Sequence, residues 1–321
     1  MNITISKNNR IDTKIVKRET LFLSLVLDFK KNWPLYIMVL PLVLFYILFC
    51  YKPMYGVIIA FKDYSTRLGI SGSNWVGFKY FREFFSSPYF VRTLWNTFFI
   101  SISTLVFSFP MPVILALLIN ELRSKKYSRI VQTASYLPHF ISLVVICSLI
   151  KEFTSQRGVI TSLLNIFGFP AISMLNEPHL FVPVYVFSDI WQSMGWGSIV
   201  YLAALTSIDQ SLYEAAKIDG AGRFRQIIHI SIPGIMPTII TMLILRMGGL
   251  MSIAYEKIIL LYNPAIYSTS DVISSFVFRR GIMDRSYSFS AAVGLFNSVI
   301  NCFLLFASNW LSKRFNESSL W

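Results

Sequence analysis

Four polar or aromatic side chains in one apolar run are spaced for a single face of a helix. They lie at positions i, i+3, i+4 and i+7, and they are Asp189, Gln192, Ser193 and Trp196. Such positions form one stripe on an α-helix. Carboxylate and amide groups suit sugar hydroxyls, an indole face can stack on a pyranose ring, and Gly195 and Gly197 would leave room for a ligand. Polar stripes also mediate helix packing in membranes, where Trp is common near the interfaces, so packing stays open as the alternative.

Two charged residues lie inside predicted apolar spans. Counted from the outer ends of their spans, Asp189 lies about 14 Å deep and Arg246 about 9 Å deep, at about 1.5 Å per residue. Similar depth permits an ion pair, and an unpaired charge at this depth is costly. In the alternative interpretation Arg246 snorkels outward and Asp189 faces an aqueous pathway.

The stretch YEAAKIDGAGRFRQIIHISIP is a polar island between two apolar spans. Ser211 and Glu214 have the spacing of a capping box, which predicts the start of a short helix. Gly220 can end that helix in the left-handed conformation, and Gly222 then allows a second turn before residues 223–229 return to the membrane. A compact helix–turn–helix of this kind suits recognition by a soluble protein. A solvated loop with ordinary caps is the alternative, because capping boxes are common.

The overall composition is that of a membrane protein. Of the 321 residues, 55% are hydrophobic and only 14% are charged, about half the charged fraction of soluble domains. Apolar runs recur that approach the length of about 20 residues that a membrane-spanning helix needs. The net charge of +13 does not indicate nucleic-acid binding, because the basic residues cluster at the ends of apolar spans. The predicted fold class is therefore an all-α polytopic membrane protein.

Cysteine and histidine usage indicates neither a disulfide framework nor a metal site. The three cysteines all fall inside apolar spans, at Cys50, Cys147 and Cys302, where buried free thiols are the plain interpretation. The three histidines are too far apart in sequence for metal-ligand spacing, at His139, His179 and His229. Paired carboxylates or clustered histidines that would indicate an enzyme are not apparent.

Six transmembrane helices are predicted, preceded by a charged leader over residues 1–33. The spans are Pro34–Tyr51, Leu94–Asn120, Val131–Ile150, Leu180–Leu202, Gly234–Ile253 and Phe289–Leu311. Pro110 and Pro112 are expected to kink the second span. Residues 20–33 are expected to form an interfacial helix on the cytoplasmic leaflet. Two outer connections contain the amphipathic stretches SNWVGFKYFREFF and GVITSLLNIFGF, which predict short surface helices. Residues 34–321 are taken as one membrane domain.

The distribution of Lys and Arg predicts that both termini are cytoplasmic. Basic residues concentrate in the leader, after the second span, after the fourth span and in the tail, as in Lys30, Arg123, Arg223 and Arg314. The connection over residues 52–93 is also basic, which opposes this orientation, but its charges are spread over a longer segment.

The polar island resembles the signature of a transporter family. Glu214-Ala215-Ala216, Gly220 and the run Ile230-Ser231-Ile232-Pro233 match the E-A-A-x3-G-x9-I-x-L-P pattern of permeases from binding-protein-dependent ABC importers. Ile232 replaces the usual Leu. The stretches YKPMYGVIIAFKDYS, NWVGFKYF, LWNTFFIS and DIWQSMGWGSIVYLAAL resemble the carbohydrate-uptake branch, especially permeases for complex oligosaccharides. The similarity covers nearly the whole chain from about residue 30.

This resemblance implies a type I importer fold of maltose type, also called MetI-like, with a core over about residues 90–312. It implies that residues 207–233 form a coupling segment that inserts into a cytoplasmic ATPase, through Glu214, Ala215, Ala216, Asp219, Gly220, Arg223 and Pro233. It also implies a pathway lined partly by the fourth span.

The same resemblance implies a set of partners in the bacterial cytoplasmic membrane. These are a second homologous permease against which the first span packs, two ATPase subunits, an extracellular solute-binding protein and an oligosaccharide. The chain lacks the phosphate-binding motif G-x-x-x-x-G-K-[ST]. ATP and Mg are therefore expected in the partner ATPase, with no cofactor on this chain and no covalent chemistry.

Two other functions are alternatives to a sugar importer. An ion-coupled secondary transporter normally places ionisable residues near the midplane of the membrane. The predicted spans contain chiefly two such residues, Asp189 and Arg246, which are too few for an ion relay. A permease for a solute other than a sugar also stays open.

Overall fold

The computed structural model describes residues 28–253 and 255–316. The chain divides into two compact units, Met1–Ile58 and Ile59–Trp321. Most of the predicted leader, including the larger part of the interfacial helix expected over residues 20–33, lies outside the described residues. Residues 28–33 are helical and form the start of α1.

The first predicted span is helical throughout and extends further than expected. Helix α1 (residues 28–45) continues through a π-helical turn, Tyr46–Tyr51, the short α2, Lys52–Met54, and a 3-10 segment, Tyr55–Phe61. The whole run, Asp28–Phe61, is long and apolar enough to cross a membrane.

The connection between the first and second predicted spans contains a small ribbon that the sequence pattern did not predict. Strand β1, Lys62–Asp63, pairs antiparallel with β2, Asn74–Trp75, and the short α3, Gly69–Gly72, lies between them. The amphipathic stretch that follows forms α4, Lys79–Phe85, as predicted. Phe84 is fully buried and packs against Phe289 and Phe296, which fixes α4 on the last helix.

The second predicted span is an interrupted helix. Helix α5, Phe90–Phe107, stops two residues before α6, Pro110–Asn120. Pro110 has no backbone N–H to donate and its fixed φ suits the first turn of a helix. The sequence predicted a kink at Pro110 and Pro112, and the structure interrupts the helix at residues 108–109, just before them. The two parts together still form one apolar run, Phe90–Asn120.

The third predicted span, Val131–Ile150, falls on two helices that meet at a sharp bend. Helix α7, Lys125–Tyr136, is followed by the 3-10 turn Leu137–Phe140, and α8, Leu143–Phe153, then leaves at an angle of 102°. Pro138 interrupts the backbone hydrogen bonding, and the Ser142 side chain accepts a bond from the N–H of Val145 to start the next helix. The predicted surface helix follows as α9, Val159–Ile166.

The fourth predicted span is the central helix of the second unit. Helix α10, Pro178–Thr206, contacts α5, α6, α7 and α13. Gly195 and Gly197 are where neighbours approach most closely: a Cβ on Gly195 would lie 2.0 Å from the carbonyl oxygen of Ser135, and one on Gly197 would lie 3.0 Å from Pro112. Neighbouring helices fill the space that these glycines were expected to leave for a ligand.

The polar island and the fifth span form one continuous run of helices. Helix α11, Gln210–Ile218, turns into α12, Arg223–Gln226, which runs through a π-helical segment, Ile227–Ser231, into α13, Ile232–Gly248. The fifth span therefore ends before the predicted residue 253.

The connection between the fifth and sixth predicted spans folds back into the protein core, which the sequence pattern did not indicate. It contains α14, Tyr255–Leu261, a 3-10 turn, Pro264–Ile266, α15, Tyr267–Ser270, α16, Ile273–Phe278, and a π-helical turn, Arg279–Met283. Ile258, Leu261, Ile266 and Val272 are buried in one cluster with Phe181 of α10. The last helix of the described residues is α17, Tyr287–Asn316, which contains the sixth predicted span.

Within the described residues, four helices are long and apolar enough to cross a membrane. They are Asp28–Phe61, Phe90–Asn120, Arg223–Gly248 and Tyr287–Arg314, and the bent α7–α8 pair makes a fifth if it is one span. Helix α10 is not among them, because the polar residues of the predicted stripe interrupt its apolar sequence. The structure confirms a polytopic, mostly helical membrane protein, whereas four or five candidate spans are found in place of the six predicted.

Candidate functional site

The start of α11 is fixed by a different residue than the sequence suggested. The helix begins at Gln210, and the Asp209 side chain accepts a bond of 2.9 Å from the backbone N–H of Ser211. This bond lowers the pKa of Asp209. The predicted capping box of Ser211 and Glu214 is therefore wrong: Asp209 occupies the cap position, which leaves the Glu214 carboxylate exposed and without a capping role.

The end of α11 follows the prediction for Gly220. Its φ of +76° lies in the left-handed region. The N–H of Gly220 donates to the carbonyl of Lys217 and the N–H of Ala221 donates to that of Ala216, the pair of bonds that defines a Schellman motif. Gly222 differs, because its φ of −67° is open to any residue and it serves as the extended residue before α12.

One side-chain contact joins α11 to the residue just before α13, and a second holds the turn between α11 and α12. The Tyr213 hydroxyl lies 2.9 Å from the hydroxyl of the buried Ser231, and the Gln226 amide donates to the carbonyl of Ala221 at 2.7 Å. Residues 209–233, which we name the coupling hairpin, are therefore joined to the α13 span by the chain and by the Tyr213–Ser231 contact.

The outer surface of the coupling hairpin is unusually apolar for an exposed helix. Ile218 is 87% exposed and Phe224 is 75% exposed, and together they present apolar area that a soluble partner could cover. The structure brings most predicted coupling residues onto this hairpin, where Glu214, Ala215, Asp219, Gly220 and Arg223 are exposed and Ala216 is half-buried. Pro233 lies apart from them in the first turn of α13. Phe224 was missed by the motif, although an aromatic side chain in a polar segment was an available signal.

The polar stripe of α10 begins with an ionic contact. The Asp189 carboxylate accepts a bond of 2.6 Å from Ser108, at the break between α5 and α6, and lies 3.9 Å from the ammonium of Lys257 on α14. The predicted pair of Asp189 with Arg246 is wrong. Arg246 is exposed on α13 and forms no ion pair in the part of the chain that the structure describes. Lys257 was missed because its segment was assigned to an outer connection, which the structure instead folds into the core.

The other end of the stripe belongs to an aromatic cluster. Trp196, which is 46% exposed, stacks on His139 with ring centroids 4.6 Å apart and planes inclined by 3°. Phe140 meets the same indole edge-on. Both partners come from the turn that breaks α7 from α8. Between the two ends, Gln192 and Ser193 are half-buried.

A second buried ionic cluster, which the sequence analysis missed, ties α5 to the folded-back connection. The carboxylate of the fully buried Asp271 lies 2.7 Å from Arg279 and 3.4 Å from Arg92. Ser275 donates to the same carboxylate, and Asn96 donates to the backbone carbonyl of Asp271. Since a buried carboxylate is costly unless it is paired and hydrogen-bonded, these contacts explain how the connection stays in the core.

Two largely apolar cavities of about 720 and 850 Å³ lie beside the first half of α10. They share His179, Pro183 and Phe187. Neither is lined by Gln192, Ser193 or Trp196, so the stripe does not form the wall of either cavity. Among the described residues, no group of three or more His, Cys, Asp or Glu side chains could hold a metal ion.

The fold and this site define a class of protein: a polytopic helical membrane protein with a polar hairpin fastened to one of its spans. Residues 108–317 match the family model described as "Binding-protein-dependent transport system inner membrane component". The chain belongs to this family. The resemblance to importer permeases seen in the polar island is confirmed.

Two named relatives are consistent with this family assignment. The chain is 44% identical over 292 residues to Protein LplB of Bacillus subtilis, with 91% of this chain and 92% of the relative covered. It is 39% identical over 312 residues to the polygalacturonan/rhamnogalacturonan transport system permease protein YteP of the same organism, with 97% of each covered.

A solved structure shares the fold. A chain from a bacterial ABC transporter involved in the import of the acidic polysaccharide alginate is 41% identical, with a TM-score of 0.84, over 91% of this chain and 99% of that one. A further crystal structure holds the bacterial alginate transporter in complex with an alginate pentasaccharide-bound periplasmic protein, with a TM-score of 0.83, the same identity, and 91% of this chain and 98% of that one covered.

Proposed function

We propose that this chain is one permease subunit of an ATP-driven importer that receives an oligosaccharide from an external solute-binding protein. The observation that carries the proposal is the coupling hairpin: an exposed helix with apolar side chains at its surface, fastened by Tyr213 and Ser231 to a membrane span. The family and the saccharide importers among its relatives support the same function.

The assembly that this function requires contains several further subunits. A second homologous permease completes the pathway, and two cytoplasmic ATPase subunits dock on the coupling hairpins. ATP and Mg bind in the ATPase, where hydrolysis takes place, and this chain performs no covalent chemistry. Closure of the ATPase pair would push on α11 and move α13, so that the two permeases alternate between inward- and outward-facing states.

Six crossings of the membrane fit this function, with both termini in the cytoplasm. The two crossings beyond the four strongly apolar helices would be the bent α7–α8 pair and α10. Helix α10 is less apolar because it faces the pathway and neighbouring helices, which can satisfy its polar groups. The hairpin and the basic α6–α7 connection then share the cytoplasmic side.

Within the pathway we assign Gln192, Ser193 and the exposed part of Trp196 to the oligosaccharide. None of these three side chains takes part in the ion pair between Asp189 and Lys257. The indole retains one face that His139 does not cover, and that face suits a pyranose ring. The fourth member of the predicted stripe, Asp189, serves chiefly to hold α10 against Ser108 and Lys257.

The test is ATP-driven uptake by the complete complex in vesicles, with the Glu214→Lys variant beside the wild type. Because Glu214 is exposed and caps nothing, the variant should insert and fold normally. It should no longer dock on the ATPase, and its uptake rate should fall at least about ten-fold, as expected when a charged contact is lost. Lys217→Gln, which changes an exposed charge on the same helix, is the matched control and should keep most of the activity.

Two outcomes would contradict this function. Uptake that needs a proton or sodium gradient and no ATP would favour a secondary transporter. Full activity and normal ATPase co-purification of Glu214→Lys would remove the coupling role of the hairpin. If the binding protein stimulates the assembly only with a non-sugar solute, the chain would still be an importer permease, but its substrate would not be an oligosaccharide.

A further inference from the structure

One surface of the second unit carries more positive charge than its own acidic residues can neutralise. It is formed by the two-stranded ribbon, α4 and the turn that leads into α17, residues 62–85 and 279–288, and we name it the basic face. The Tyr64 N–H donates to the Ser288 hydroxyl at 2.9 Å, and the Tyr64 and Tyr287 rings lie 6.1 Å apart, so these segments form one continuous surface. In the orientation proposed above, the basic face lies on the external side of the membrane.

The three carboxylates of the basic face are all engaged within it. Asp63 lies 3.7 Å from the ammonium of Lys79. Glu83 and Asp284 both lie beside the guanidinium of Arg280, at 3.7 and 3.4 Å. The same two segments contain seven Lys and Arg residues, so the cations of this surface clearly outnumber its carboxylates.

Three arginines of the basic face form no ion pair within the described chain. They are Arg67, Arg82 and Arg285, and each of them is exposed. Lys and Arg normally concentrate on the cytoplasmic side of a membrane protein, where they help to fix its orientation. External cations oppose that orientation, so membrane insertion gives no reason for their presence here. An acidic partner outside the membrane would give one.

The backbone at Arg285 separates the needs of the fold from those of the side chain. Its φ of +55° lies in the left-handed region, and among the described residues Arg285 is the one non-glycine residue with a positive φ. Glycine adopts this conformation at a lower cost than an L-residue. The turn therefore does not require an arginine, and a strained residue of this kind is characteristic of a functional position.

The basic face also exposes large apolar side chains. Trp75 is 64% exposed, Phe78 is 63% exposed and Met283 is 69% exposed. Trp75 stacks on Phe61 with ring centroids 5.7 Å apart, and Phe78 meets the same ring edge-on at 5.4 Å, so both exposed rings are held in place. Aromatic, Met and Arg side chains are the types enriched in protein–protein interfaces. The basic face thus combines the side chains of an interface with an excess of positive charge.

We propose that the external solute-binding protein docks on the basic face through an acidic surface, with Arg67, Arg82 and Arg285 as the charged contacts. This inference rests on the proposed importer function, which requires one soluble partner on this side of the membrane, and it assigns the surface that receives that partner. Opposite charges on two surfaces accelerate their encounter and make the association rate depend on salt. The exposed rings of Trp75 and Phe78 then supply apolar area that the docked protein covers.

The experiment measures how the purified, saccharide-loaded binding protein associates with the complete transporter in nanodiscs. In the triple variant Arg67→Gln, Arg82→Gln and Arg285→Gln, the association rate at low ionic strength should fall at least about ten-fold, on the scale of electrostatic steering. The remaining rate should depend less on salt, because the charges that salt screens have been removed. The dissociation rate should change much less, since exposed charges act mainly on the encounter.

Three further variants serve as controls. Replacing the same three arginines by Lys keeps the charge and should keep most of the association rate. Arg157→Gln removes an exposed arginine in the connection before α9, outside the basic face, and should leave the rate unchanged. Arg285→Gly removes the side chain and the backbone strain together, so it should slow association while the midpoint of thermal unfolding stays equal or rises. A loss of binding caused by misfolding would lower that midpoint.

Three results would overturn the inference. The first is a wild-type association rate that does not fall with added salt, and the second is an equal rate for the triple Gln variant and the wild type. The third is an effect of the triple variant that appears only in nanodiscs containing phosphatidylglycerol and not in pure phosphatidylcholine, which would identify lipid phosphates as the partner. A wild-type transporter whose ATPase activity and uptake are not stimulated by any binding protein would instead contradict the proposed function, which the other three results leave intact.

Discussion

Gly220 and Gly222 lie two residues apart in the turn after α11, yet their backbones differ. Gly220 has a φ of +76°, whereas Gly222 has a φ of −67°. A Cβ atom added to either glycine would meet nothing within 4 Å. Backbone conformation alone therefore separates the two positions, which makes them a controlled pair for testing the shape of the coupling hairpin.

We predict that Gly220→Ala impairs the transporter and that Gly222→Ala does not. An L-residue in the left-handed region costs about 1–2 kcal/mol, enough to open the Schellman motif and displace Ala216 and Asp219 from the partner surface. Co-purification of the ATPase and ATP-driven uptake are the measurements. Equal behaviour of the two variants would show that the turn geometry does not control docking.

At the scale of elements, α10 organises the second unit because so many helices approach it closely. Its two glycines are contact points for α7 and for α6, at the backbone of Ser135 and at Pro112. Small residues permit such close approach between helices in membranes, where packing replaces much of the hydrophobic driving force. The breaks at Pro110 and Pro138 then place Ser108 and His139 against the ends of the stripe.

We predict that Gly195→Ala destabilises this helix packing by about 1–3 kcal/mol, the range for an overpacked core. The added Cβ would collide with a backbone carbonyl, which cannot rotate away as a side-chain end can. Gly294→Ala in α17 is the control, since its Cβ would meet nothing within 4 Å and helix propensity favours Ala. Thermal unfolding of the purified complex should show a lower midpoint for the first variant and an unchanged or higher one for the second. The reverse order would refute close packing at Gly195.

At the scale of the whole molecule, the chain exposes surface that an isolated protein would not keep. None of the most apolar window of Asp28–Phe61 is buried, and the coupling hairpin exposes Ile218 and Phe224. Lipid can cover the first surface and a soluble partner the second, which is the distribution expected of a subunit in a membrane complex. The orientation proposed for the chain places the coupling hairpin on the cytoplasmic side.

We predict that Thr66→Cys, between the two strands of the outer ribbon, is labelled by an impermeant maleimide in right-side-out vesicles. Lys125→Cys, at the first residue of α7, should be labelled only after permeabilisation, because both termini and the basic connection that precedes α7 are proposed to be cytoplasmic. Both positions are exposed, and Cys50 and Cys302 are replaced by Ser in the background. The buried Cys147 should stay unlabelled in folded protein and serves as the internal control. The opposite labelling pattern would invert the topology.

The features that local sequence determined are those that depend on near neighbours along the chain. Apolar runs indicated a membrane protein, and Gly220 marked a helix end because no other residue adopts its conformation at so little cost. The breaks near Pro110 and the surface helices α4 and α9 also followed from local patterns. The spacing from Glu214 to Pro233 indicated the family, which the comparisons confirmed.

Tertiary structure decided everything that depends on which distant segments meet. A capping box fits the sequence at Ser211, but Asp209 is closer to the true start of the helix and takes the cap. Asp189 and Arg246 matched in depth, but depth does not fix direction around a helix axis, and the folded-back connection brings Lys257 to Asp189 instead. Gly195 and Gly197 of α10 predicted room for a ligand, and only the positions of Ser135 and Pro112 show that neighbouring helices occupy this space. Hydropathy registers how apolar a segment is, whereas burial among other helices depends on long-range contacts that no local pattern contains.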